Sequence, residues 1–242
     1  MDPSQVGVGS RLFADRVASF FSDSLPEFAR GRLADLGCGE VPLYGAYRDL
    51  VTYTVCVDWS GSPHGGSHVD LECSLDEAIP LPDGYFDTVI LSDVLEHIAS
   101  PESLWHEMAR ILRPGGTVLI SVPFFYWIHE APHDHHRFTE YALRRSAEAA
   151  GLEVLRLEPL GGVPEILADL LAKNLQGVRL AGKAMASAIQ RLAAAFVRTR
   201  PGRRLSERTG RAFPLGYAMV ARKKAGDQEP ETGPASCPKP RA

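Results

Sequence analysis

The chain has 242 residues, 45% of them apolar and 23% charged, enough to bury a core as one large α/β domain, or one domain with an appendage. Its net charge of -4 gives no general attraction to nucleic acid. Cys38, Cys56, Cys73 and Cys237 show no CxxC spacing, and there is no charged-then-apolar leader and no long apolar run; the expectation is a reduced, cytoplasmic protein without zinc framework, disulfides, signal peptide or integral membrane segment.

In chain order, Leu12, Phe13, Val17, Phe20 and Phe21 recur at helical spacing and predict an amphipathic helix within residues 1–30, stopping near Pro26. Strands are predicted at 32–36, 53–58, 68–71, 87–91, 117–123 and 153–157. Helices are predicted at 101–112, ended by Arg113-Pro114-Gly115-Gly116, and at 139–150, closed by Gly151. This alternation implies a doubly wound, mostly parallel α/β sheet covered on both faces.

Residues 163–211 break the rhythm and read as a helical insertion of two helices. The second carries Met185, Ile189, Leu192, Phe196 and Val197 on one face, with Lys183, Arg191 and Arg198 on the other. Ten Lys or Arg and a single acid, Glu207, lie between Lys173 and Arg211. Such helices suit a substrate lid, a homodimer contact, an anionic membrane surface, or simply a solvated face; lid or dimer is preferred. A last strand is predicted at 215–222. Residues 1–224 thus read as one domain, and 225–242, poor in apolar residues, as a disordered tail.

The first predicted strand runs into a glycine turn, Asp35-Leu36-Gly37-Cys38-Gly39-Glu40. Gly37 and Gly39 let the backbone turn sharply and approach a ligand, although a plain structural loop would look the same. Asp58 ends the second strand, where an acid can accept hydrogen bonds from both hydroxyls of an adenosine ribose. Pro42 replaces the third glycine of the dinucleotide fingerprint, and Glu40 is unwelcome beside phosphate. Both point to an adenosine ligand without pyrophosphate. Pro42 and the lack of a Tyr-x-x-x-Lys pair disfavour an NAD-dependent oxidoreductase.

Asp35-Leu36-Gly37-Cys38-Gly39, Asp58, the run Phe86-Asp87-Thr88-Val89-Ile90-Leu91-Ser92-Asp93-Val94-Leu95-Glu96-His97, and Leu112-Arg113-Pro114-Gly115-Gly116 together resemble the ordered motifs of class I methyltransferases dependent on S-adenosylmethionine (SAM). The resemblance implies a seven-stranded Rossmann-like sheet and SAM as cofactor. It places Asp35, Gly37, Cys38 and Gly39 around the methionine end, and Asp58 with neighbouring Trp59 at the ribose. Asp70 would reach the adenine amine with Leu71 beside the ring, and Ser92, Val94 and His97 would close the floor. Asp70 capping a turn and His97 packing a helix are the plainer alternatives.

The segment after the fifth predicted strand, Phe124-Phe125-Tyr126-Trp127-Ile128-His129-Glu130-Ala131-Pro132-His133-Asp134-His135-His136-Arg137-Phe138-Thr139, lies where α/β folds place their ligands. Phe124, Tyr126, Trp127 and Arg137 are the candidate substrate contacts. It also resembles a methyltransferase subgroup with a His-Glu-x-Pro-His-Asp stretch followed by aromatics and Arg-Phe-Thr, although His135 and His136 stand where aromatics are expected. A hydroxyl acceptor must lose a proton, and histidine is the usual base near neutrality. His133, backed by Asp134 or Glu130, is the first candidate, then His129 and His136; the plainer alternative for all three is a wall or helix-capping role. His129, His133 and His135 match no strong zinc spacing, so no metal is assigned.

The expected activity is methyl transfer to a small-molecule acceptor, an oxygen of a secondary metabolite or glycan, using a histidine base. N-methylation by positioning alone, an aminopropyl transferase, and a SAM-binding protein without turnover are the alternatives.

Overall fold

The computed structural model describes residues 10–64, 66–179 and 181–225. Seven strands form one sheet: β1 (Arg32–Leu36), β2 (Tyr53–Asp58), β3 (Leu71–Glu72), β4 (Phe86–Ser92), β5 (Leu112–Pro123), β6 (Leu152–Leu160) and β7 (Gly216–Lys223). Their spatial order is β3-β2-β1-β4-β5-β7-β6. The pairs among β1 to β5 are parallel, and β7 runs antiparallel to both β5 and β6. The expected mostly parallel, seven-stranded sheet is present.

Two-residue alternation sorts the strand side chains onto two faces. Ala34, Leu36, Val55, Val57, Val89, Leu91, Val118 and Ile120 join one core with Leu104, Trp105 and Met108 of helix α3 (Pro101–Ile111). Leu33, Cys56, Ile90, Leu119 and Val220 join a second core with Phe20, Phe21 and Leu25 of helix α1 (Arg11–Phe28). Strands buried on both faces are near-continuous in apolar residues, as parallel sheets require. A four-residue helix, α2 (Tyr44–Tyr47), follows the glycine turn, and α4 (Glu140–Ala149) is capped by Thr139, whose hydroxyl accepts from Ala142 N.

The insertion connects the paired strands β6 and β7. It holds three helices, α5 (Val163–Leu175), α6 (Gly182–Arg198) and α7 (Arg200–Gly210), where two were expected. Thr199 ends α6 and caps α7 by accepting from Gly202 N at 3.2 Å, with Pro201 in the first turn of α7. The inward face of α6 also differs from expectation. Gly182, Ala186, Gln190 and Val197 are buried, while Met185, Leu192 and Phe196 stay exposed. Small residues allow close approach: a Cβ on Gly182 would lie 2.3 Å from the Leu175 carbonyl oxygen. Gln190 Oε1 accepts from Leu12 N, so α6 satisfies an orphan donor at the start of α1.

Other boundaries moved. α1 continues two residues past Pro26, which sits in the last turn, where one lost backbone hydrogen bond is tolerated. The strand expected at 68–71 shrinks to Leu71–Glu72, because the edge of the sheet offers only Val57 and Asp58 as partners. Residues 113–116 begin β5 rather than forming a helix stop. Among the described residues no helix is long and apolar enough to cross a membrane. The tail read from 225 onward lies, beyond that first residue, outside the described residues.

Candidate active site

The glycine turn joins β1 to the cavity above the carboxyl ends of the strands. Gly37 has φ +68°, and a Cβ there would lie 2.4 Å from Val94 Cγ2; Gly39 has φ +51°. Both positions therefore require glycine. Gly37 N donates to Val57 O at 2.8 Å, locking the turn onto β2. Asp58 holds its other end: Oδ2 accepts from Gly39 N and Oδ1 from Trp59 N, each at 2.8 Å. Each carboxylate oxygen keeps further acceptor capacity toward the cavity that Asp58 lines. Asp35 is buried behind the turn, accepts from Tyr47 Oη at 2.9 Å, and is pushed up to about 7 by its burial.

A cavity of about 1210 Å³ runs from this turn to the segment after β5. That volume suits a nucleoside cofactor together with an acceptor. Its walls include Gly37, Cys38, Gly39, Asp58, Trp59, Ser92, Val94, His97, Tyr126, His129 and His133. The sequence reading singled out all of these.

Other predicted residues stand elsewhere. Asp35 is enclosed behind the turn. Asp70 Oδ2 accepts from Cys56 N, the turn-capping role given as its alternative, and Leu71 pairs with Val57 at the sheet edge. Phe124 packs on Tyr217, and Arg137 grips Asp134 and the Trp127 carbonyl. His136 packs against Phe138 and is not part of the wall. In place of Asp70 and Leu71, the wall is formed by Ser74, Leu75 and Asp76. The amphipathic α1 supplies Phe13, and Ser10 at its N-cap joins it, with Ser10 Oγ 2.5 Å from Tyr126 Oη and Phe13 against the Tyr126 ring. Helical periodicity marked this helix as core-facing but carried no sign that it walls a site.

The histidine segment is held by paired contacts. Asp134 bonds His129, through N at 2.9 Å and Nδ1 at 3.2 Å, and is held well below the usual carboxylate range by the Arg137 guanidinium, despite its burial. This corrects the expectation that Asp134 backs His133. Glu130 likewise faces His64, at 3.1 Å, and His97. The His133 ring meets Trp59 edge-on, and its two nitrogens make no hydrogen bond among the described residues. Beneath the segment, Glu96 is fully buried, and His135 N and His136 N donate to its carbonyl oxygen. Burial, then the Asp93 carboxylate, pushes the Glu96 carboxyl well up. Glu96 was quoted within a motif without being given a role.

Residues 34–120 match the family model described as a methyltransferase domain. These residues are a methyltransferase domain, and the chain is a SAM-dependent methyltransferase. SAM is the cofactor, and the lining fits it: Gly37 and Gly39 present bare backbone to the cavity, and the acids Glu40 and Asp58 suit a cation without phosphate. The methyltransferase is 28% identical over 172 residues, 60% of the chain, to the ubiquinone biosynthesis O-methyltransferases of Aeromonas salmonicida and Chromobacterium violaceum, covering 72% and 74% of those proteins. A 99-residue stretch is 31% identical to the enzyme of the same name from Parvibaculum lavamentivorans, spanning 39% of it. Among solved structures, a SAM-dependent methyltransferase from Archaeoglobus fulgidus superposes with a TM-score of 0.56 at 17% identity, covering 88% of this chain and 94% of that one. The cyclase SpnF does so at 0.55 and 21% identity, covering 88% and 82%. These structural likenesses establish the fold.

Proposed function

We propose that the methyltransferase moves a methyl group to a hydroxyl oxygen of a small acceptor, with His133 as the base. The observation that carries this reading is the single cavity joining the Gly37–Gly39 turn and Asp58 to Tyr126, His129 and His133. SAM supplies a methyl carbon activated by a sulfonium. Gly37 and Gly39 give the cofactor close backbone approach, and Asp58 accepts from its ribose hydroxyls. Phe13, Tyr126 and Trp59 form an aromatic wall that excludes water and aligns the acceptor for in-line displacement, where orientation is worth up to ~7–11 kcal/mol.

His133 is preferred because it lines the cavity and neither of its ring nitrogens makes a hydrogen bond among the described residues. The O-methyltransferase names of the relatives support a hydroxyl oxygen as the acceptor, and the aromatic wall an apolar body beside it. A secondary metabolite or glycan carrying a comparable hydroxyl fits the same wall.

His133→Ala should lower kcat on a hydroxyl acceptor by roughly 10²-fold while SAM affinity holds. A His133→Gln variant near the wild-type rate makes His133 a wall residue and turns the reading toward amine methylation. A second copy bound at the insertion is proposed as well, supported by the exposed Leu192 and Phe196 on α6 and the exposed Leu167 and Leu171 on α5. Light scattering should give the mass of two chains at micromolar concentration, and a monomer mass rejects the dimer.

A further inference from the structure

Glu96 is fully buried, yet neither of its carboxylate oxygens has a hydrogen-bond partner. Its Oε1 instead faces two imidazole nitrogens, Nε2 of His97 at 3.6 Å and Nε2 of His129 at 3.8 Å. These separations are too long for hydrogen bonds. They are close to the spacing of two ligands on one ion, since donors about 2.1 Å from a tetrahedral zinc stand roughly 3.4 Å apart. One ligand-type atom from each of the three residues lies within 4.8 Å of the others.

The tautomers are set from behind. His97 Nδ1 lies 2.9 Å from the His133 carbonyl oxygen, which can only accept, so Nδ1 is the donor and the neutral ring turns its Nε2 lone pair toward Glu96. His129 Nδ1 lies 3.2 Å from Asp134 Oδ2, a carboxylate also held by Arg137, which orients the second imidazole the same way. A carboxylate or carbonyl behind each imidazole, with both free lone pairs converging on a third donor, is the supporting shell of a metal site. A hydrogen-bonded core would instead pair the Glu96 oxygens, as buried carboxylates otherwise require.

We propose that Glu96, His97 and His129 form a site for one divalent transition-metal ion, with zinc as first candidate. The site lies in the cavity wall on the acceptor side, and two histidines with one carboxylate leave a position open toward the acceptor. This differs from the sequence reading, which weighed His129 with His133 and His135 and assigned no metal. Chain order hid the set, because Glu96 and His97 follow β4 while His129 follows β5. A cation here faces the acceptor hydroxyl and lowers its pKa, so that His133 receives the proton as the oxygen attacks the methyl carbon and the carbon–sulfur bond breaks, its electron pair staying on sulfur. That role rests on the hydroxyl reading above; the binding itself does not.

The test uses the full chain, stripped with chelator and dialysed against zinc or cobalt. Elemental analysis should find one ion per chain, and cobalt should show the visible absorption of a four- or five-coordinate site. Glu96→Gln and His129→Ala should each weaken binding at least tenfold, and His135→Ala, an exposed neighbour, should not. Thermal unfolding and S-adenosylhomocysteine affinity near wild type confirm that the variants fold. No ion retained by the wild-type chain, or unchanged stoichiometry in both folded ligand variants, overturns the site. One zinc per chain in an enzyme that methylates no hydroxyl keeps the site and ends only the role given to it.

Discussion

The Lys173 ammonium sits 3.3 Å from the centre of the Tyr126 ring and 2.6 Å from Asp169 Oδ2. Lys173 and Asp169 belong to α5, so the insertion underpins the segment that carries the acceptor-side residues. Both side chains are almost out of water, at 5% and 3% exposure. In such surroundings a cation over an aromatic face is worth about 2 kcal/mol or more. Tyr126 in turn touches Phe13 of α1 and Ser10 at its N-cap. Insertion, acceptor loop and N-terminal helix therefore meet at one aromatic ring.

Replacing Lys173 with Met removes one partner of a buried pair, which costs about 3–5 kcal/mol when a charge is stranded. Asp169, already pushed up by burial, relieves part of this by taking a proton. Lys173→Met should lower stability by about 3 kcal/mol in denaturant unfolding and raise KM for the acceptor more than for SAM. The double variant Lys173→Met, Asp169→Asn should recover much of the loss. Equal stability of wild type and Lys173→Met excludes the anchoring role.

Asp35 gives a pH signature. Its carboxyl moves from the ordinary 3.8 to about 7 on folding, by burial first, offset in part by the Tyr47 hydroxyl. The native state thus holds this proton to higher pH than the unfolded chain. The contribution is complete below about pH 4 and is lost as pH rises through about 7, at a slope of up to about 1.4 kcal/mol per pH unit. Asp35→Asn should flatten the stability profile between pH 4 and pH 7, as followed by thermal unfolding without SAM. An unchanged profile in the Asn variant assigns the proton uptake elsewhere.

The parts of the site written in local sequence were readable. Gly37, Gly39 and Asp58 sit at strand ends, and strand ends follow from apolar alternation. Lys173 was counted only as one positive charge of a basic insertion, because its contact with Tyr126 spans 47 positions and needs tertiary structure. The inward face of α6 was misread for a similar reason. Periodicity ranks Met185, Leu192 and Phe196 as the apolar face, but helix packing favoured Gly182, Ala186 and Gln190, which let α6 approach α5 and α1. Asp70 was displaced because β3 is only two residues long, leaving its carboxylate to cap the Cys56 amide.

Titrating S-adenosylhomocysteine into wild-type protein and into Asp58→Ala is the most direct test that the glycine-turn end of the cavity holds the cofactor. Loss of two hydrogen bonds to a charged group, at about 1.5–3 kcal/mol each, should weaken binding well over tenfold, with Asp58→Asn losing less. Calorimetry showing unchanged affinity in a folded Asp58→Ala protein contradicts the assignment.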